Sequence, residues 1–375
     1  MRSVCYLLLV TMTVSPNSME VGLTYDDVLL IPQRSPVRSR DDVDTSSFVT
    51  PSVEVETPII SSNMHTVTEG EMAQAMSDVG AVGILHRYMP PEEQAEDIAS
   101  VDGVVGGSIG VNPVESTDGV LDSVEQAELL VEAGADFVCI DIAHGHLEMC
   151  IETVEAVSDA VPVDVMAGNV VTVAGAVDLI SAGADSIKVG VGPGAACRTR
   201  TVTGVGVPQF TAVTTVVEGV NKYLAQLGED REVCVIADGG IRTSGDMMKA
   251  LMAGADAVMV GGFVAGCSEA PGEIIEIEGV EYQKYSGMAS NDARSDRTDK
   301  DDVDTSASEG AETLKEVEGS VEEVITEAIW GVRSGCSYCG GETLDEARAN
   351  AKFIRTSPTT QERNGVHSVD SVEGY

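Results

Sequence analysis

The chain has 375 residues, with 62 acidic against 22 basic side chains and a formal net charge of −40. Charge of that sign repels nucleic acid and anionic lipid, so neither is expected as a partner, and beyond the first residues no apolar run approaches a membrane span. The acids are spread along the whole sequence, a pattern suited to strong salt, where the Debye length falls to about 3 Å at 1 M; a salt-loving source is therefore expected.

Met1-Arg2 and the apolar stretch Val4 to Val14 have the outline of a short signal peptide, without an obvious small-residue cleavage site. Met12 and Met19 are both candidate starts. Residues 1–19 are thus expected to be a non-native or disordered extension, and the protein to be cytoplasmic.

Eight short apolar segments then follow, at Pro58 to Ser61, Val82 to His86, Val104 to Ile109, Phe137 to Asp141, Pro162 to Ala167, Ser186 to Val189, Val233 to Ala237 and Ala257 to Gly261. Three of them are introduced by the same four residues, Ala133-Gly134-Ala135-Asp136, Ala182-Gly183-Ala184-Asp185 and Ala253-Gly254-Ala255-Asp256. Each time a helical pattern ends on a glycine suited to the C′ position and a strand begins, which is the joint of a repeating βα unit. Eight such units predict a (β/α)8 TIM barrel over residues 20–357. An open doubly wound sheet would carry its glycine fingerprint after the first strand, whereas here the glycines follow strands six, seven and eight.

After Pro271 the segment Ile274 to Tyr285 reads as a hairpin turning at Glu278-Gly279. The polar stretch that follows is predicted to be a mobile flap at about 286–310. Helices are expected at Val321 to Trp330 and Thr343 to Lys352, and a flexible tail over 358–375. The eight cysteines do not form a disulfide framework in a chain this long. Cys139 and Cys234 fall in strands and read as core. Cys336 and Cys339 lack a second pair for a zinc site and read as structural.

Chemistry in such a barrel sits in the loops after the strand C-termini. Asn63 and Met64, His86 and Arg87, Asp141, Asn169, Cys197, Asp238 and Gly261-Gly262 all fall there, and their common position predicts a shared site. Cys197 closes the glycine-rich loop Gly190 to Ala196, whose amides can approach an anion or a planar ring. Arg198 and Arg200 would favour the thiolate, the reactive form, so Cys197 is predicted to be a nucleophile rather than a buried core thiol.

The same loop, Gly192-Pro193-Gly194-x-x-Cys197-x-Thr199-Arg200 followed by Thr203-Gly204-Val205-Gly206-Val207-Pro208-Gln209, resembles the active-site loop of the IMP dehydrogenase/GMP reductase family. Gly22-Leu23-Thr24-Tyr25-Asp26-Asp27-Val28, Asn63-Met64-His65-Thr66-Val67, Ile140-Asp141-Ile142-Ala143-His144-Gly145-His146, Ala167-Gly168-Asn169-Val170 and Ala237-Asp238-Gly239-Gly240-Ile241-Arg242 extend the likeness in the family's order. The resemblance implies a cysteine sulfur bonded to C2 of a purine nucleotide. Cys197 matches the nucleophile and Thr199 the threonine that handles a proton. Asp238 would hold the ribose, and Gly240, Gly261 and Gly262 the 5′-phosphate. Ser62, Met64, Tyr285, Gly287, Met288 and Glu309 match positions around the nucleotide, and Asp141 and Asn169 lie beside the nicotinamide. The family also implies a homotetramer, and a potassium ion on the carbonyls of Gly192, Gly194 and Cys197.

Two reactions share this chemistry: a dehydrogenase takes IMP and NAD to XMP, and a reductase takes GMP and NADPH to IMP and ammonia. The strand-four and strand-five motifs and Ser308-Glu309-Gly310 resemble the reductases. So does the absence of the CBS modules that many dehydrogenases insert after the second unit. Dehydrogenases also carry an Arg-Tyr pair in the flap, where this chain has Asp296-Arg297-Thr298. Against the reductase, its glutamate after Gly-Met-Ser-Ser is missing. Gly287-Met288-Ala289-Ser290 is followed by Asn291-Asp292, leaving Asp292 as the substitute, and Gly22 to Ser35 is dehydrogenase-like. GMP reductase with NADPH is the favoured expectation. The alternatives are a dehydrogenase with NAD, in which Arg297 would activate water, and a non-catalytic purine sensor, against which the intact Cys197, Thr199 and Asp238 argue.

Overall fold

A computed structural model describes residues 20–117, 119–228, 231–290, 293 and 308–364. Eight parallel strands, β1 (Ile59–Ser61), β2 (Val82–Leu85), β3 (Val105–Ile109), β4 (Phe137–Asp141), β5 (Asp164–Val170), β6 (Ser186–Val189), β7 (Cys234–Asp238) and β8 (Ala257–Val260), close in sequence order into one barrel. The expected (β/α)8 architecture is present. Around it lie α1 (Gly70–Asp78), α2 (Pro91–Ser100), α3 (Ser123–Glu132), α4 (Glu148–Ala160), α5 (Val173–Ser181), α6 (Gln209–Leu227), α7 (Ser244–Met252) and α8 (Val321–Cys339). Among the described residues no helix is long and apolar enough to cross a membrane.

The lumen is filled by side chains from alternate strand positions, among them Ile60, Ile84, Phe137, Met166, Ile236 and Met259. A hairpin that the sequence reading passed over, Ser47–Thr50 and Val53–Val55, closes the N-terminal mouth. Its Val49, Val53 and Val55 join the luminal cluster, and Ser186 Oγ at the start of β6 donates to the Val49 carbonyl at 2.7 Å. With that mouth plugged, only the C-terminal mouth remains for chemistry.

The repeated Ala-Gly-Ala-Asp joints have a structural reason beyond their glycines, which all take positive φ (109°, 115° and 106° at Gly134, Gly183 and Gly254). Each aspartate ties itself to the strand before it. Asp136 donates its amide to the Val105 carbonyl at 2.9 Å and accepts the Val105 amide at 2.8 Å. Asp185 does the same with Val165, and Asp256 with Val235. Short strands at a barrel rim have orphan amides, and these carboxylates satisfy them.

The arrangement has an electrostatic cost. Burial pushes the Asp256 pKa up to about 6, against relief from the Val235 amide and Arg348. The fold therefore favours the protonated acid; that contribution is complete below pH 4 and lost as pH rises through 6. Asp256→Asn keeps the acceptor for Val235 and removes the charge. It is expected to exceed the native protein in stability by about 1–2 kcal/mol at pH 7.5, with the gap closing near pH 4, in urea unfolding at fixed high salt. Equal or lower stability at pH 7.5 contradicts this account.

Beyond β8, the expected hairpin forms between Ile274–Ile277 and Val280–Ser286, with Glu278 and Gly279 at φ 54° and 85° in its turn. A third strand, Glu312–Glu316, pairs with it in a sheet the sequence reading did not foresee. The helix expected to end at Trp330 runs to Cys339, because Gly331 and Gly335 do not break it. They let it approach α7: a β-carbon would lie 2.2 Å from Ser244 Oγ or 2.6 Å from Met248 Cγ.

The tail expected to be loose from 358 instead starts with a short helix, Pro358–Glu362, and Gln361 donates to Asp27 Oδ1 at 2.9 Å. Val28–Leu30 pairs antiparallel with Phe353–Arg355, bringing both ends of the barrel domain together. Residues 1–19 and 365–375, and the flap residues 291, 292 and 294–307, lie outside the described residues.

Candidate active site

The C-terminal mouth gathers the residues expected there except His86, which is buried beside Glu69 and lines none of the three cavities described below. Cys197 follows β6 on a loop held from both sides. The Arg198 amide donates to the Glu309 carbonyl at 2.6 Å, the Ala311 amide donates to the Ala196 carbonyl at 2.8 Å, and Cys197 bridges Gly310. Beneath the loop, Gln209 Nε2 donates to the carbonyls of Val189 at 2.6 Å and Asp238 at 3.0 Å. Arg200 folds back to donate to the carbonyls of Val191 at 3.2 Å and Val207 at 2.6 Å. Arg200 is thus a clamp on the loop, and the Arg198 side chain is exposed. The thiol's immediate partner is Thr199, whose Oγ1 lies 3.2 Å from Sγ.

Cys197 and Thr199 stand where two cavities meet. A smaller one of about 200 Å³ is lined by Ser62, Met64 and Gly261 on one side, by Tyr285, Gly287 and Met288 on another, and by Asp238 and Glu309. A larger one of about 600 Å³ is lined by Asp141, Asn169, the loop from Gly190 to Gly194, and Arg87. Both share Cys197, Thr199, Asp141 and Asp238. A third, of about 830 Å³, opens past Gly240, Gly261, Gly262 and Tyr285 toward Arg242 and Lys315. The two larger volumes are those of small-ligand sites, the smaller cavity has room for only part of a nucleotide, and a nucleophile on a shared wall can address one ligand while a second lies across it.

Ser62, Tyr285 and Met64 converge on Gly261: a β-carbon there would stand 2.9, 2.9 and 3.1 Å from Ser62 Oγ, Tyr285 Oη and Met64 Sδ. Burial pushes the Tyr285 phenol up to about 12, so it is a neutral donor. Buried polar atoms without a hydrogen-bond partner belong to residues of both cavities, among them Ser62 Oγ and Asn63 Nδ2 in the smaller and Asn169 Oδ1 in the larger. A buried orphan acceptor is costly unless a ligand satisfies it. Asn169 is fixed for that purpose, since its Nδ2 donates to the Gly190 carbonyl at 2.8 Å and Asp238 Oδ2 at 2.7 Å.

Below these residues lies Lys188, which the sequence reading absorbed into an apolar strand. Its ammonium reaches Asp141 Oδ1 at 2.6 Å and Asp238 Oδ2 at 3.3 Å. Burial alone would raise the Asp141 pKa, but Lys188, with Arg87 further off, holds it below the ordinary value. Burial alone would lower that of Lys188, and the two carboxylates raise it instead. A lysine in the middle of a buried strand was the signal available.

Two expectations on catalytic groups, Asp292 and Arg297, lie outside the described residues. Glu309 lines the same cavity as Cys197 and Thr199, together with Asp141 and Asp238. Of the carbonyls expected to hold potassium, that of Gly194 accepts the Cys197 amide at 3.1 Å. The Arg200 guanidinium, itself a cation, lies against Gly192, where a β-carbon would be 3.0 Å from Nε. No step is derived through potassium. Among the described residues no group of three or more His, Cys, Asp and Glu side chains could hold a metal ion.

Residues 22–367 match the family described as IMP dehydrogenase / GMP reductase domain. An inosine-5′-monophosphate dehydrogenase of Nitrosopumilus maritimus is 32% identical, covering 90% of this chain and 96% of its own. One of Borreliella burgdorferi is 34% identical, covering 95% and 100%. A GMP reductase of Leishmania donovani is 31% identical, covering 94% and 98%. The alignment spans 488 positions with this reductase but only 413 with the Borreliella dehydrogenase. Alignment length therefore does not separate the two activities.

Proposed function

The chain belongs to the IMP dehydrogenase/GMP reductase family, oxidoreductases of purine nucleotides that use a nicotinamide cofactor, and on that premise we propose that it is a GMP reductase. The observation that carries this reading is the meeting of Cys197, Thr199 and Glu309 in one cavity, with Sγ and Oγ1 3.2 Å apart. A nucleophile, a hydroxyl and a carboxylate are what expulsion of ammonia requires: one group to form the new bond and two to pass a proton to the leaving nitrogen.

GMP would lie with its base in the smaller cavity, its ribose hydroxyls on Asp238, and its phosphate in the third cavity toward Gly240, Gly261 and Gly262. Ser62 and Tyr285 would contact it from the barrel side. Cys197 Sγ adds to C2 of the guanine, and the C2–N bond breaks as Thr199, backed by Glu309, delivers a proton to departing ammonia. The larger cavity, between Asp141 and Asn169, would hold NADPH, which would supply the hydride that C2 receives. The C–S bond then breaks, the electron pair returns to Cys197, and IMP leaves. Asn169 Oδ1 would accept an N–H of the nicotinamide carboxamide, and Asp141 would flank the ring. A homotetramer is the assembly we propose, checked by light scattering in molar KCl.

The dehydrogenase reading stays open because the Borreliella relative, named a dehydrogenase, aligns with so few added positions. Purified protein in molar KCl is assayed separately with GMP plus NADPH and with IMP plus NAD. Oxidation of NADPH with release of ammonia is the expected result. Formation of XMP from IMP, with GMP and NADPH untouched, replaces the proposal by the dehydrogenase and makes Arg297 the first candidate for the base. No turnover of either pair, with nucleotide still bound, would leave the sensor.

A further inference from the structure

Lys188 is 1% exposed, and the chemistry above does not use it. Its stem passes Gly168 on the neighbouring strand, where a β-carbon would fall 2.6 Å from the lysine Cβ. Gly168 is therefore what admits a long side chain to this layer. The ammonium then reaches across the barrel. It meets Asp141 at the end of β4, Asp238 at the end of β7, Asn63 Oδ1 after β1 at 3.4 Å, and Met259 Sδ on β8 at 3.6 Å. One ammonium is shared by two carboxylates, so the buried group carries one net negative charge.

We propose that Lys188 is the positioning residue that holds Asp238 toward the nucleotide and Asp141 toward the nicotinamide at once, so that both ligand sites share a single charge balance. The proposal rests on the assignment of the two cavities to a purine nucleotide and a dinucleotide. Asp238 Oδ2 is already occupied by Lys188 and by Asn169 Nδ2, which fixes the carboxylate plane and leaves Oδ1 for ligand hydroxyls. Without the ammonium, two half-buried carboxylates face each other across the β5–β6 layer, with no cation between them to hold both charged and correctly turned. Removing one partner of a buried ion pair strands the charge of the other, whereas removing both restores neutrality. The native group and a Lys188→Met/Asp141→Asn double variant both carry one negative charge; Lys188→Met alone carries two.

The charge count sets the test. Binding of GMP, IMP, NADPH and NAD is measured by calorimetry in molar KCl on the native protein, Lys188→Met, Asp141→Asn, the double variant and Lys188→Arg. Lys188→Met is expected to weaken both the nucleotide and the dinucleotide by about tenfold or more. The double variant should recover most of the nucleotide affinity while dinucleotide binding stays weak, and Lys188→Arg should retain nucleotide binding. A lysine that only packs would give losses that add, with the double variant at least as weak for the nucleotide as Lys188→Met. That result, or native affinities in Lys188→Met, overturns the proposal. If Lys188→Met fails to fold, melting temperature is read instead: a folded double variant supports shared charge and an equally unfolded one overturns it. A native protein that binds neither GMP nor IMP defeats the functional reading itself, before any variant is compared.

Discussion

Replacing Cys197 by alanine is expected to abolish turnover, lowering kcat by at least about 10⁴-fold, while GMP affinity changes by less than about threefold. The asymmetry follows from where the contacts lie. Sγ is positioned by a loop whose anchors are backbone atoms, at Ala196–Ala311 and Arg198–Glu309, so truncation at the β-carbon leaves the cavity wall in place. The proposed ribose and phosphate contacts are on other strands, at Asp238 and at Gly240, Gly261 and Gly262. What is lost is the bond that divides one difficult substitution into two easier ones. Rapid quenching of native enzyme with GMP should trap a purine covalently attached to the protein, and Cys197→Ala should trap none. Thr199→Val should retain the adduct but slow ammonia release more than hydride transfer. Turnover within tenfold of native in Cys197→Ala would remove the cysteine from the chemistry.

Much of this site could be read from the sequence because barrel chemistry is confined to strand ends. Asn63, Asp141, Asn169, Cys197, Asp238 and Gly261 each lie at or just after the end of a short apolar run, and three of those runs begin at an Ala-Gly-Ala-Asp joint. The fold then brings those six positions to one mouth. The features that escaped have particular causes. Glu312–Glu316 is mostly exposed and carries no apolar alternation, so nothing marked it as a strand partner of the hairpin. The helix expected at Val321 to Trp330 continues through Gly331 and Gly335, whose reason for being glycine, contact with Ser244 and Met248, lies some 90 residues away in sequence. Lys188 was hidden by its neighbours: among Ser186, Ile187 and Val189, one lysine did not alter the strand pattern, and its two carboxylate partners sit on other strands. The aspartates of the repeated joints were visible as a repeat, but their hydrogen bonds to Val105, Val165 and Val235 required the barrel register.

The largest effect expected outside the site is on folding itself, and its lever is salt. The chain carries a net charge of −40. Treated as a sphere of about 27 Å radius, the size expected for this length, that charge has a self-energy of roughly 30 kcal/mol at 0.1 M ionic strength and roughly 12 kcal/mol at 1 M. The unfolded chain spreads the same charge over a much larger volume and holds only about 4 and 1 kcal/mol at those two strengths. Screening thus shifts the balance by roughly 15 kcal/mol, as large as the 5–15 kcal/mol that ordinarily holds a domain folded. Local pairs do little to offset this: Lys222–Glu218, Lys284–Glu273 and Arg242–Asp26 are exposed pairs of the kind that contributes about 0–1 kcal/mol each. The melting temperature should therefore rise by more than about 10 °C between 0.1 and 2 M KCl. Activity should fall on dilution in parallel with the loss of folded protein. Sucrose at matched osmolality separates charge screening from general exclusion, since it strengthens burial without shortening the Debye length. A melting temperature that does not change with KCl, or that sucrose raises as much as KCl does, would mean the acidic surface is not what sets this protein's stability.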